Sequence, residues 1–100
     1  LWQTRFMAEV AAQNRMLHWQ GTGLDLGILD VARLHSSAAA RTCVLSGDTI
    51  GHRIREDDLI IEELKVQNGA IRVPTGPGLG VTLDREAMKR YQLRQETIRG

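Results

Sequence analysis

Apolar residues fall on one side of a helical wheel over the first fourteen positions. Leu1, Trp2, Phe6, Val10 and Ala11, with Met7 beside them, predict an amphipathic helix that leaves at Asn14-Arg15. Met16 to Trp19 then reads as a short strand ended by the turn Gly21-Thr22-Gly23. A second helix is expected from about Asp25 to Ala40, with Leu26, Leu29, Ala32, Leu34 and Ala38-Ala39 on its apolar face. Thr42 to Leu45 is a short apolar strand broken at Gly47. Strand, helix, strand is the order of a βαβ unit, which implies parallel strands and a right-handed crossover.

The pattern changes at Gly51. His52 to Asp58 reads as a charged, solvated connection, and Leu59 to Val66 alternates loosely. Asn68-Gly69 stands between that run and Ala70 to Val73, the strongest short-range signal for a hairpin. Arg72-Val73-Pro74-Thr75-Gly76-Pro77-Gly78-Leu79-Gly80-Val81 follows, holding both prolines and three of the ten glycines of the chain. Such a segment must turn tightly, because Gly permits positive φ and Pro fixes φ. After Val81-Thr82-Leu83, Asp84 is a good N-cap for a helix from Arg85 to about Leu93, and a tail from Arg94 to Gly100 is expected to fray.

Length and charge narrow the field. One hundred residues suit one small domain, burying roughly 60–65% of the unfolded chain's surface. A complete (β/α)8 barrel needs about 250 residues. The formal net charge of +1 offers no electrostatic reason for a nucleic acid or a membrane surface as partner. Arg53 and Arg55 are followed at once by Glu56-Asp57-Asp58, with no aromatic interleaving for stacking bases. A single cysteine, Cys43, leaves no internal disulfide and no multi-cysteine metal site; its apolar neighbours predict a buried structural thiol. No apolar run approaches the about 18 residues of a membrane span, and no signal-peptide pattern opens the chain, so the expected location is cytoplasmic. Leu1 opens directly onto a helix with no initiator Met, which implies a chain continuing from something longer.

Several strings, taken in order, carry a resemblance. Arg72 to Val81 is similar to the Val-Pro-x-x-Pro-Gly-Leu-Gly-Val segment near the C-terminus of the mandelate racemase and muconate-lactonizing enzyme family, in the enolase superfamily. Gly21-Thr22-Gly23-Leu24-Asp25-Leu26-Gly27-Ile28 resembles the family's Gly-Thr-Met-Leu-Glu-Gly-x-Ile and equally the Glu-Leu-Gly-Ile form of its dehydratases, and Ala32 to Ala40 resembles its Ala-x-Leu-His-x-Ala-Ala-Ala helix. Leu45 to Thr49 with Glu56 to Ile60 resembles the last barrel strand and its loop in muconate cycloisomerases. Glu62 to Val73 resembles the hairpin, although Glu63 stands where Pro is common.

The resemblance implies the C-terminal portion of a (β/α) TIM-type barrel: the last βα units over residues 1–50, then hairpin, Pro/Gly loop and terminal helix over 51–100. It implies an enzyme that abstracts a proton α to a carboxylate, with a small carboxylate substrate, Mg²⁺ as cofactor, a homo-oligomeric state, and the remainder of the barrel and a capping domain as partners. The family's metal ligands and lysine bases lie on strands that nothing in this chain matches. Lys65 falls in the hairpin and Lys89 in the terminal helix. The chain alone is therefore expected to be inactive and to bind no Mg²⁺ itself; Glu56-Asp57-Asp58, consecutive in a loop, suits an octahedral ion poorly.

The candidate site residues are Asp25 and Asp48, each just after a predicted strand, with Gly21, Thr22 and Gly23 as substrate-binding main chain. By resemblance Asp25 takes the place of the family's Glu, one methylene shorter, and would act protonated or charge-paired on an enediolate. Its other reading is a plain N-cap. Asp48 matches the second Asp of an Asp-x-Asp pair that binds a substrate ammonium, but Ser46 replaces the first; its other reading is a turn residue. Gly21 occupies the position of the catalytic His of the His-based branch, which points to the lysine-base branch. His18 is read as a structural or pocket-wall residue and His35 as a core histidine. The contrasting class is a free-standing α/β module that self-associates to cover unpaired strand edges.

Overall fold

The computed structural model describes residues 1–96. Helix α1 spans Trp2–Gln13 and leaves through a left-handed residue, Arg15, at φ 55°. The Met16 N–H reaches the Ala11 carbonyl at 2.8 Å and the Arg15 N–H the Ala12 carbonyl at 3.1 Å, a Schellman closure. Glycine is the residue that takes this conformation without a Cβ penalty. Arg15→Gly, at an exposed side chain, is therefore expected to raise stability by about 1 kcal/mol, as read by denaturant unfolding of the full-length protein.

The wheel of α1 does not face a core. Ala8 is its one buried residue, while Leu1, Trp2, Phe6 and Met7 are all more than half exposed.

The two strands expected at Met16–Trp19 and Thr42–Leu45 reduce to a single parallel bridge, His18 to Cys43. Its hydrogen bond runs from the His18 N–H to the Thr42 carbonyl at 3.0 Å. Each segment has one neighbour among the described residues, so no ladder extends the pairing. Helix α2, Gly27–Ala39, joins them, giving the βαβ order. Cys43 is half-buried and free, where a buried thiol was expected.

Asp25 does not cap α2. The N-cap residue is Leu26, and the Gly27 N–H is instead satisfied by both carboxylate oxygens of Asp58, at 2.9 and 3.0 Å. A carboxylate 31 residues away thus fills the role of a cap and favours the positive end of the helix. It fits because position 27 is glycine: a Cβ there would lie 2.6 Å from Ile60 Cδ1 and 2.7 Å from Asp58 Oδ2.

The segment expected to be a solvated connection is put to structural use. Gly51–Arg53 forms a 3₁₀ turn against α2. Besides the work of Asp58, Asp57 accepts from Arg90 and from the Tyr91 hydroxyl, both at 2.9 Å.

The loosely alternating run pairs at two places. Strands β1 (Val66–Gln67) and β2 (Ala70–Ile71) form the Asn68-Gly69 hairpin, with positive φ of 51° and 76° at the two turn residues. That is the twist a type I′ turn requires. Farther from the turn, Ile60 bridges Leu83, with Ile61 N–H to Thr82 carbonyl and Asp84 N–H to Leu59 carbonyl both at 2.9 Å.

Between these pairings the Pro/Gly segment folds back on itself. Gly78 and Gly80 take φ of 64° and 74°, and the Gly80 N–H bonds the Pro77 carbonyl at 3.0 Å. His35 on α2 donates Nε2–H to the Leu79 carbonyl at 3.0 Å, pinning the loop to the helix. Leu79 and Val81 then pack with Leu34 and Ile71 around the buried cluster of Val31, Ile60 and Leu64. This is the core of the described chain.

Helix α3, Arg85–Tyr91, starts as expected: Asp84 accepts from the N–H groups of Glu86 and Ala87 at 3.0 and 2.9 Å. It ends two residues before Leu93, which is fully exposed. The last four positions of the tail expected to fray, 97–100, lie outside the described residues.

Candidate active site at the strand ends

The two loops that follow the bridged segments meet. The Thr22 N–H donates to Asp48 Oδ1 at 2.7 Å, and the Thr22 hydroxyl donates to the Asp48 main-chain carbonyl at 3.0 Å. Gly47 lets the chain pass close: a Cβ there would sit 3.2 Å from the Gln20 carbonyl oxygen. Asp48 is thus a half-buried clasp between loops 26 residues apart.

Asp25 lies on the same pair of loops and is held from three sides. Its Oδ2 accepts the Gly23 N–H at 3.0 Å and pairs with the Arg33 guanidinium. Its main-chain carbonyl accepts from Arg55. The Gly23 N–H, first, and then the Arg33 hydrogen bond hold the carboxyl below the usual aspartate range. Asp25 is therefore an ionised, charge-paired acceptor with no proton to give. Of the two states that the resemblance allowed, the geometry supports the paired one.

The sign of the resulting pH dependence follows. A depressed carboxyl contributes stability above its unfolded value, lost as pH falls through the folded one. Arg33→Gln is expected to move the Asp25 midpoint upward toward the ordinary range and to narrow that acid window. Carboxyl-carbon NMR titration of the full-length protein checks it; an unmoved midpoint refutes the pairing.

Arg33, Asp30 and His52 were not singled out by sequence reasoning, and Arg55 was weighed only as a nucleic-acid contact. Arg33 reaches Asp25 from eight residues away and from beyond the start of α2, so helical spacing gave no signal for the pair. Arg55 reaches Asp25 across 30 residues and left no local signal. Behind them Asp30 is fully buried, and both of its oxygens lack a hydrogen-bond partner; both ring nitrogens of His52 are buried and unpartnered as well. Burial pushes the Asp30 carboxyl upward, against the opposing charges of His52, Arg33 and Arg55.

The histidines singled out from sequence serve structure. His18 Nδ1 lies 2.9 Å from the Thr42 hydroxyl across the parallel bridge, and His35 anchors the Pro/Gly loop. The residues present do not fit a Mg²⁺ site. Asp58 is occupied with α2, Asp57 with α3 and Asp25 with Arg33. Among the described residues no group of three or more His, Cys, Asp or Glu could hold a metal ion. Lys65 and Lys89 pair with Glu63 at 3.3 Å and Glu86 at 2.8 Å, on the exposed surface.

Comparison with known proteins gives the family. Residues 1–87 match the family described as enolase C-terminal domain-like. The chain is 35% identical over 94 residues to an o-succinylbenzoate synthase of Geobacillus kaustophilus, covering 91% of this chain and 24% of that protein. It is 37% identical over 95 residues to the o-succinylbenzoate synthase of Listeria innocua (92% and 25%). With a chloromuconate cycloisomerase of Cupriavidus pinatubonensis it shares 31% over 87 residues (87% and 23%). The crystal structure of a muconate lactonizing enzyme from Klebsiella pneumoniae superposes with a TM-score of 0.78 at 30% identity, over 88% of this chain and 24% of that one. The chain thus spans about a quarter of the length of the relatives it matches. With its α/β fold, the chain belongs to the enolase C-terminal domain-like family, and the relatives it matches are named o-succinylbenzoate synthase, chloromuconate cycloisomerase and muconate lactonizing enzyme.

Proposed function

We propose that the protein carrying this chain abstracts a proton α to a carboxylate, leaving an enediolate that then isomerises, is reprotonated or eliminates a leaving group. The observation that carries the reading is the convergence of the Gly21–Gly23 and Asp48 loops in a chain of this family. In the step a base takes the proton and the electron pair of the C–H bond moves into the carboxylate. Asp25 and Asp48 are the acidic residues of the site. Asp25 acts as an ionised carboxylate that fixes Arg33 beside the substrate; Asp48 holds the mouth in shape. The main chain of Gly21, Thr22 and Gly23 borders the substrate, its Thr22 and Gly23 donors holding Asp48 and Asp25 in place.

The base, and Mg²⁺ as cofactor, belong to the remainder of the barrel. The 100-residue chain alone is inactive and carries no metal. Its natural partners are that remainder and a capping domain, within a homo-oligomer and in the cytoplasm, with neither nucleic acid nor membrane as partner. No helix among the described residues is long and apolar enough to cross a membrane.

The test is a panel of small carboxylates, chloromuconate among them, given to the full-length protein with Mg²⁺ in D₂O. Deuterium entering the α-carbon, or cycloisomerised product, is expected. A panel left wholly unchanged overturns the reading.

The exposed Leu1, Trp2, Phe6 and Met7 favour a second reading, in which the chain is a self-associating module. Size-exclusion chromatography with thermal unfolding of residues 1–100 decides it. A cooperative oligomer supports that reading, and an aggregated or molten chain eliminates it.

A further inference from the structure

Gly51 marks a point where three polar groups crowd together. A Cβ built there would overlap the Asp25 carbonyl oxygen and fall 2.8 Å from an Arg55 guanidinium nitrogen and 2.9 Å from Asp30 Oδ2. The Asp25 carbonyl and the Asp30 carboxyl are therefore rival acceptors around one guanidinium. Arg55 now bonds the carbonyl, and the Asp30 oxygens bond nothing. A fully buried carboxylate without a hydrogen bond is costly while ionised, and a neutral acid is much less so.

We infer that Asp30 is a positioning residue for the Asp25 site: loss of its proton draws the Arg55 guanidinium off the Asp25 carbonyl and toward the buried carboxylate. The groups that face Asp30 are His52, Arg33 and Arg55, which favour its anion, and Asp25, which opposes it. No basic partner holds Asp30 in the present arrangement, so Arg55 stays on the loop while Asp30 is neutral. Because burial raises the Asp30 carboxyl, this arrangement is complete below the ordinary aspartate range and is lost as pH rises through the raised value. The inference rests on Asp25 belonging to the site, as proposed above, but its mechanism is a local exchange of partners that can be read without turnover.

The experiment is NMR titration of the Arg55 guanidinium nitrogens in the full-length protein, compared with Asp30→Asn. In the wild type the Arg55 signals are expected to shift with a midpoint above the ordinary aspartate range. In Asp30→Asn, which keeps a neutral side chain at every pH, that shift is absent. Arg55 curves that are flat in the wild type, or identical in the two proteins, overturn the inference. Should Asp30→Asn fail to fold, Arg55→Gln supplies the reciprocal reading. The Asp30 carboxyl-carbon midpoint should rise further once its cationic neighbour is gone, and an unchanged midpoint also overturns the inference. Failure of the functional reading shows itself separately, as carboxylate probes left unchanged while these titrations persist.

Discussion

Gly80→Ala is expected to destabilise the full-length protein by about 3 kcal/mol. Gly80 already holds a φ of 74°, a conformation that costs an L side chain about 1–2 kcal/mol. It also drives the methyl to within 2.7 Å of Pro74 Cβ and 2.9 Å of the Gly76 nitrogen. Backbone and a proline ring cannot yield as the end of a flexible side chain does, so overpacking of about 1–3 kcal/mol adds to the conformational cost. The consequence spreads inward, because Leu79 and Val81 flank this glycine and belong to the core. Gly78→Ala is the matched control. It shares the positive φ but meets nothing within 4 Å, so it should cost only about 1 kcal/mol. Denaturant unfolding of the two variants side by side separates the terms, and equal losses would refute the close approach of Pro74 to Gly80.

Gly51→Ala is expected to cost about 2 kcal/mol and to impair the site as well. The new methyl meets the Asp25 carbonyl, which is backbone, in addition to Arg55 and Asp30. Arg55 can swing aside, but the Asp25 carbonyl cannot move without carrying its whole loop. Displacing a reacting constellation by about 1 Å commonly costs about 100-fold in rate. Turnover of the proposed reaction by the full-length protein should therefore fall far more than its folded fraction does, which circular dichroism and activity measured on one sample will show. Activity that tracks folded protein one for one would mean that Gly51 serves packing alone.

Much of the local structure was legible in advance because its causes are local. Asn68-Gly69 makes its turn through the left-handed tolerance of its own two residues, and Asp84 caps α3 with donors two and three positions away. The family was legible too, since its motifs stand in order along the chain and the match runs over residues 1–87. Where the reading missed, a distant partner had decided. Asp25 was weighed as the cap of α2, but a carboxylate from residue 58 reached Gly27 first and left Asp25 to Arg33. The strands predicted at 16–19 and 42–45 depend on neighbours on either side, and one parallel bridge is all that the described residues supply. The charged run 52–58 has the composition of a solvated loop, yet its carboxylates and Arg55 tie α2, α3 and the Asp25 loop together.

Sequence alone sufficed for the helices, the hairpin turn and the twice left-handed Pro/Gly segment, because each depends on residues within a few positions of one another, and for the family, because its short motifs stand in order along the chain. Only the tertiary structure decided that Asp25 is ionised and paired, that Asp48 clasps Thr22, and that Asp30 lies buried beside Arg55. Charge state and hydrogen-bond partner depend on burial and on distances of a few ångströms, and the groups that set them lie up to 30 residues apart along the chain.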